Sequence, residues 1–461
     1  GLPGLGYDDD DELANNDKRK GYGLPPKLDE IIPHNDPFGT RHLDASSTGS
    51  LMPIEITVST SGDQWAVGPG RLEREWIEGG RHYFHYVEEN PGINQPFAIL
   101  SARYAHIQDT VAIAGLPPVQ VNVFYHPAHR ANVDRWMTAG KDGLRYMSEH
   151  YGSYPFGNFN IVEGSIYAPR SISFAGGALF SELFGWNAHF SDPKQVDYLY
   201  YRGIEMLANQ WWGQQVAPNH TTGSQVISAG LSKYLSVILM EKKYGKEAFS
   251  DIRFHEMNDY IFYRRRNFRE EKTLLYADDW TKWSLKAGIV LYGLRDLIGE
   301  DSVNAALREF YDTWKFRKAA PYAGVEDLYK VLQKHVPDSF RYYLTDTWEK
   351  LCLYDNKIVE ANAVPAGGGS GDYRLTVKIR VNKVYIDSAR QEHPARGMKD
   401  YIDIGVYGAG HKELYLKKLP FAEGEHTIAL LVPGKPVTVA IDPERKLIDR
   451  IPEDNRKELS P

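Results

Sequence analysis

Glu205 and Asn209 stand four residues apart in Glu205-Met206-Leu207-Ala208-Asn209-Gln210-Trp211-Trp212-Gly213. On a helix that spacing puts two side chains on one face, where two good donors can share one metal ion. When both donors are neutral imidazoles and a carboxylate follows the first, the carboxylate serves as general base on metal-bound water. Here the first donor position is Glu205, the base position is Met206 and the second donor position is Asn209. A thioether neither gives nor takes a proton, and a carboxamide is a poor ligand beside imidazole. Glu205, Asn209 and Trp212 fall three or four apart, so a continuous helix would place all three on one face.

The run Gln210-Trp211-Trp212-Gly213-Gln214-Gln215 resembles the segment that follows the zinc motif in the M1 family of gluzincin aminopeptidases. The likeness is to the bacterial branch whose peptidase-like domain is fused to ABC-2 type transporter permeases. That resemblance implies a third zinc ligand, a glutamate, about twenty positions on in a Ser-Glu-x-Leu-x-x-Tyr context. The matching stretch is Ser228-Ala229-Gly230-Leu231-Ser232-Lys233-Tyr234, with Ala229 at the ligand position. It also implies a tyrosine two residues before a lysine that stabilises the tetrahedral intermediate, and Ser284, two before Lys286, stands there. The strand that would hold a substrate's backbone resembles Ser173-Phe174-Ala175-Gly176-Gly177-Ala178-Leu179-Phe180-Ser181-Glu182. Gly177 and Ala178 are then the strand contacts and Glu182 the amine-binding carboxylate; without the resemblance, Glu182 reads as a solvated or capping residue.

The resemblance covers about residues 51 to 455. It implies the family's fold without its catalysis, because Glu205, Met206, Asn209, Ala229 and Ser284 are all departures. No catalytic residue, no metal ligand and no cofactor is expected, although zinc belongs to the family. Five departures at five chemical positions read as natural degeneracy, since one or two would abolish activity.

The expected fold is α+β and multidomain. Residues 1–50, rich in Gly, Pro, Asp and Asn, read as an extended linker. Their acidic run Asp8 to Glu12 lacks the alternate spacing of a calcium loop. Alternation from Ile54 onward predicts a β-rich segment over 51–115, similar to the end of the saddle-shaped N-terminal domain of M1 enzymes. Residues 116–352 are expected to form a thermolysin-like, mostly helical domain, with an amphipathic helix over Val133 to Tyr151. Alternation returns beyond Tyr354 and predicts a β-sandwich over 353–455, followed by a tail at 456–461. Gly367 to Gly371 reads as a loop within it, and Asp442 and Asp449 as turn residues.

Composition narrows the function classes. The chain has 461 residues, a formal net charge of −7 and 25% charged residues, which fits a globular protein with several cores. Its basic cluster, Arg264-Arg265-Arg266, is followed by Arg269-Glu270-Glu271-Lys272; that mixture argues against nucleic-acid binding and reads as a solvated helix end. The single cysteine, Cys352, excludes an intrachain disulfide and sits in an apolar run, as a buried inert thiol would. Trp211 and Trp212 read as packing residues rather than ligand-stacking ones. His189, His220 and His255 share no helical spacing, so they do not read as substitute zinc ligands.

A start at Gly1, with no apolar stretch of about 18 residues, reads as a processed or excised soluble portion. The resemblance implies that permease membrane segments or ABC-transporter subunits are its partners, on the extracytoplasmic (periplasmic) side of a bacterial inner membrane. Three functions follow as expectations. The first is an inactive module that binds peptide or protein in the old cleft. The second is a hydrolase with a rebuilt site, in which Glu205 and Glu182 form a carboxylate pair. The third is a scaffold whose cleft is filled by its own side chains.

Overall fold

Alternating side chains build the first sheet. In β1 (Met52–Ser61) Ile54, Ile56 and Val58 turn inward while Glu55 and Thr57 face out, and β1 pairs with β3 (Arg81–Ile93), which pairs in turn with β2 (Arg71–Glu78). Gly79 and Gly80 both have positive φ, 57° and 77°, and so close the two-residue turn between β2 and β3 that other residues adopt at a cost. This sheet keeps a small core of its own, Ala66, Phe84 and Tyr86. The computed structural model describes residues 16–25, 31–44, 51–93, 98–167, 171–190, 195–266, 271–367, 371–387 and 390–459. The acidic run at 8–12 and Gly368 to Ser370 lie outside them.

A five-stranded sheet follows, made of β4 (Ala105–Val111), β5 (Val119–Tyr125), β6 (Asn158–Gly164), β7 (Ser171–Phe174) and β8 (Gly177–Ser181). The strand order is β4-β5-β6-β8-β7; β5, β6 and β8 run parallel, and the two edge strands are antiparallel to them. The divide expected at 115/116 falls between β4 and β5, which pair from Ala105↔Tyr125 to Val111↔Val119. β4 is therefore hydrogen-bonded into the middle sheet.

Helices cover that sheet. α1 (Val133–His150) buries Val133, Trp136, Met137, Gly140, Leu144 and Met147, a stripe at spacings of three and four. α2 (Tyr198–Ala208) begins where Asp197 accepts the Tyr200 amide at 3.0 Å, a side-chain cap. α3 (Leu231–Arg266) is broken at Gly245, whose φ is 81°. The Arg264 end of α3 is more than a solvated run, because Arg264 pairs with Glu271 at 2.6 Å. α4 (Ala287–Ile298), α5 (Glu300–Trp314) and α6 (Val325–His335) complete the helical region. No helix among the described residues is long and apolar enough to cross a membrane.

The C-terminal part is mostly β, with one short helical turn at Ala409–His411. β9 (Leu351–Tyr354), β12 (Lys383–Ile386) and β13 (Glu392–Pro394) form one sheet; β10 (Lys357–Pro365), β11 (Tyr373–Val381) and β16 (Gly424–Val432) form a second. β14 (Asp400–Tyr407), β15 (Glu413–Phe421), β17 (Thr438–Ile441) and β18 (Arg456–Glu458) form a third. One apolar core runs continuously from the middle sheet through the helices into these strands. Cys352 lies buried in β9, and burial pushes its thiol far up. Asp442 and Asp449 do close turns, but from inside the protein. Asp442 accepts the amides of Lys446 and Leu447, and Asp449 those of Asn356 and Ile451. Burial pushes them up to about 6 and about 7.

An ionic knot pins this part to the helices. Lys446, buried, reaches Asp403, Asp296 at 3.0 Å and Glu444 at 3.0 Å, and Glu444 also takes Lys246 of α3 at 2.8 Å. Burial raises Glu444, but Lys446 and Lys246 outweigh it and bring its carboxyl down to about 2. A folded value below the unfolded one gives stability that is complete above the unfolded value and lost as pH falls through the folded one. The stability difference between wild type and Glu444→Gln is therefore expected to be on the order of 3 kcal/mol near neutrality and to vanish toward the folded value. Urea midpoints measured against pH check this; a difference that stays constant down to the folded value refutes it.

Residues 31–44, expected as linker, dock as a strap. Ile32 and Thr222 exchange two hydrogen bonds at 2.8 and 3.0 Å, and the His220 amide donates to the carbonyls of Gly39 and His42. Leu43 bridges to Asn219, the Tyr322 amide donates to Thr40, and the His34 ring stacks on Tyr276 at 4.4 Å. Gly39 is the strap's one buried residue. The sequence reads as linker here because backbone groups, not apolar side chains, make these contacts.

Candidate functional site

The regular helix that carries Glu205 stops before the tryptophans. Asn209 is its C-terminal boundary, Gln210–Gln215 form a widened turn, and Trp212 has φ −97° and ψ 54°. Trp212 therefore leaves the face expected to hold Glu205 and Asn209. Gln210 explains the departure: its fully buried amide donates to Ser173 Oγ, Phe174 O and Gly177 O and accepts from the Gly176 amide. One side chain thus ties the helix end to the β7–β8 hairpin. Trp211 and Trp212 are fully buried; Trp211 donates to Gly152 O at 3.1 Å, and Trp212 lies edge-on to Tyr151 and Tyr311.

Glu205 is 6% exposed and forms ion pairs with Arg202, one turn earlier, and with Lys233 of α3 at 2.9 Å. Lys233 is as deeply buried, and its ammonium lies 4.7 Å from the Tyr201 ring. Its stem passes Gly288, where a Cβ would come within 2.7 Å of Lys233 Cγ; only the missing side chain leaves that path open. Burial pushes Glu205 upward, but Arg202 and Lys233 together outweigh it and hold the carboxyl below its usual range. Tyr201 donates to a second buried carboxylate, Glu256, which stands 3.6 Å from Arg253 and is pushed up by burial. The floor of the site is a buried charge network.

The other departures surround it. Met206 is half-buried, and its carbonyl accepts from Ser173 Oγ at 3.0 Å. Ala229 is half-buried in the turn Val226–Gly230 that leads into α3. Ser284 is buried in the turn Thr281–Lys286, which packs on that turn through Gly230, Trp283 and Ala287. Glu182 is exposed just past β8, its amide bonded to Gly164 O at 2.8 Å. Gly177 and Ala178 are buried on β8, whose two edges are paired with β6 and β7. The outer edge belongs to β7. Glu205, locked in its ion pairs, is not free to pair with Glu182 as a base.

Zinc does not fit these positions. Of the three donors one is a methyl, one a carboxamide, and the carboxylate already holds two cations. A dication on the Glu205 side chain would lie within about 5 Å of the Lys233 ammonium, a repulsion on the order of 6 kcal/mol at an effective dielectric of about 20. Among the described residues no group of three His, Cys, Asp or Glu side chains converges as a structural zinc site would need. His189 and His255 are exposed, and His220 lies edge-on to Phe38 under the strap.

Sequence reasoning missed Lys233 and Arg202, although both carried a signal. Lys233 stands four residues after Ala229 and Arg202 three before Glu205, spacings that return each to the face of the altered position. It also missed the apolar rim around Glu182: Ile166, Tyr167, Leu183 and Tyr198 are 46, 94, 71 and 50% exposed. A cavity of about 440 Å³ lies elsewhere, between the first sheet and residues 155–157, and touches none of these positions.

No family model matches the sequence, and no curated protein matches it. Solved structures do. Aminopeptidase A of Legionella pneumophila, in complex with aspartic acid, matches 89% of this chain at 13% identity with a TM-score of 0.54, and this chain spans 45% of that protein's length. The M1 zinc metallopeptidase of Deinococcus radiodurans matches 63% of this chain and 62% of its own at 14% identity, with a TM-score of 0.48. The chain has a fold like that of the M1 aminopeptidases.

Proposed function

We propose that this chain is a catalytically silent M1-aminopeptidase-like module that binds peptide or protein segments along its old cleft. The observation that carries the reading is the buried Glu205–Lys233 pair. At the positions of the first zinc ligand and of the helix bearing the third, the chain supplies its own carboxylate and its own cation. The outer edge of β7 offers strand-pairing groups, and Ile166, Tyr167, Leu183 and Tyr198 offer an apolar rim beside the exposed Glu182. Such an edge can hold an extended segment without hydrolysing it.

The module acts in an extracytoplasmic assembly with transporter permease segments or ABC-transporter subunits, as the branch it resembles does. Support for that part comes from the Gln-Trp-Trp-Gly segment and the Ser-x-x-Leu-x-x-Tyr context. Aminopeptidase assays on aminoacyl nitroanilides, run beside peptide binding by fluorescence polarisation, test the reading. Peptide binding without turnover, weakened by Leu183→Asp, is expected. Turnover by the purified wild type sinks it, and fractionation of the native protein with the cytoplasm overturns the location.

A further inference from the structure

We propose that His126 and His129 form a two-imidazole site for a divalent late first-row transition ion, outside the old zinc positions. Both residues follow β5, where the carboxyl ends of the parallel strands β5, β6 and β8 come together, the end of such sheets at which ligands bind. Their rings stand 4.7 Å apart between centroids, tilted by 43°. With metal–nitrogen bonds of about 2.0–2.1 Å, a ring centroid lies about 3 Å from the ion, so centroids this far apart subtend roughly 100° at it, between octahedral and tetrahedral values.

The carboxylate behind the pair is the second observation. Glu163, 5% exposed at the end of β6, accepts from His129 Nδ1 at 2.5 Å and from the His126 amide at 2.7 Å. With Nδ1 donating its proton to Glu163, His129 keeps its lone pair on Nε2, directed away from the carboxylate. A carboxylate that fixes the tautomer and raises the basicity of an imidazole is the usual support of a histidine ligand. His126 is exposed, and among the described residues its Nδ1 takes a 3.2 Å hydrogen bond from the Ala128 amide, so a metal at His126 displaces a weak contact. Arg130, the nearby cation, is turned to Asp134 at 3.1 Å. Two imidazoles suit zinc, nickel or copper rather than calcium or magnesium. The remaining coordination positions are open to water or to a donor atom of a bound ligand.

The test titrates the whole chain, stripped of metal, with Zn²⁺ by calorimetry and with Co²⁺ by visible absorption, at a pH where imidazole is neutral. One equivalent with micromolar affinity is expected. His126→Ala and His129→Ala should each weaken it at least tenfold, and Glu163→Gln by about 10- to 100-fold. The histidine variants alter exposed and half-buried rings, and thermal melting checks that all three remain folded. No saturable binding, or binding unchanged in both histidine variants, overturns the proposal and leaves Glu163 as a clamp on the loop. Binding kept in the histidine variants but lost in a Glu205→Gln protein that thermal melting shows to be folded overturns both this site and the silent-enzyme reading. Binding lost only in the histidine variants upholds both.

Discussion

Lys233→Met is expected to lower folding stability by about 3–5 kcal/mol, because it strips one cation from a carboxylate that burial alone would neutralise. Methionine fills the lysine stem's volume beside Gly288, so packing is largely kept and the loss is electrostatic. Glu205→Gln is expected to cost a similar amount, by leaving Lys233 and Arg202 buried without their counter-ion. The two losses are not additive. In Glu205→Gln/Lys233→Met only Arg202 keeps its charge, and Arg202 retains its 2.9 Å hydrogen bond to Ser171. The double variant should therefore be little worse than the poorer single one. Chemical denaturation of the four proteins measures the cycle; single variants within about 0.5 kcal/mol of wild type would show that the pair is not the structural keystone its burial implies.

Zinc binding around Glu205, Asn209 and Ala229 is expected to be limited by Lys233 even when ligands are supplied. Glu205→His, Met206→Glu, Asn209→His and Ala229→Glu together restore the family's donor set, yet leave an ammonium beside the ion. That fourfold variant is expected to hold well under one equivalent of zinc after dialysis. Adding Lys233→Met should tighten binding by about a hundredfold to ten-thousandfold, the span corresponding to several kcal/mol of repulsion removed. Elemental mass spectrometry of the dialysed proteins reads the result. A full zinc equivalent in the fourfold variant with Lys233 in place would mean that the lysine can swing clear and that the lack of ligands alone keeps zinc out.

The sequence was most informative where side-chain periodicity and burial coincide. The α1 stripe from Val133 and the alternation of Ile54, Ile56 and Val58 are local patterns that tertiary contacts reinforce, so the elements are where the periodicity predicts them. Glu205, Met206, Asn209, Ala229 and Ser284 stood out in the sequence because the motif they resemble supplies their spacing. What each of them touches did not. Lys233 meets Glu205 across two helices and 28 residues, and no periodicity within either helix reports a contact between them. The tryptophans misled for the same reason, since their spacing continues the helix while the buried Gln210 amide unwinds it. Nothing in the sequence marks Glu163. Its hold on His129 depends on two strands lying parallel, which places their ends side by side.

The strap formed by residues 31–44 brings a different kind of order to the molecule. Its docking partners, Asn219 to Thr222, Leu275 to Tyr276 and Tyr322 to Glu326, lie far away along the chain and far from one another. That landing place does not exist until three distant segments have come together, so the strap can add no stability to any earlier stage of assembly. Closing loops of about 180 to 290 residues costs little more entropy than closing much shorter ones; timing, not loop length, is the constraint. With one buried residue and mostly backbone contacts to hold it, the strap's amides are expected to exchange with solvent sooner than those of the core helices, which hydrogen exchange would read.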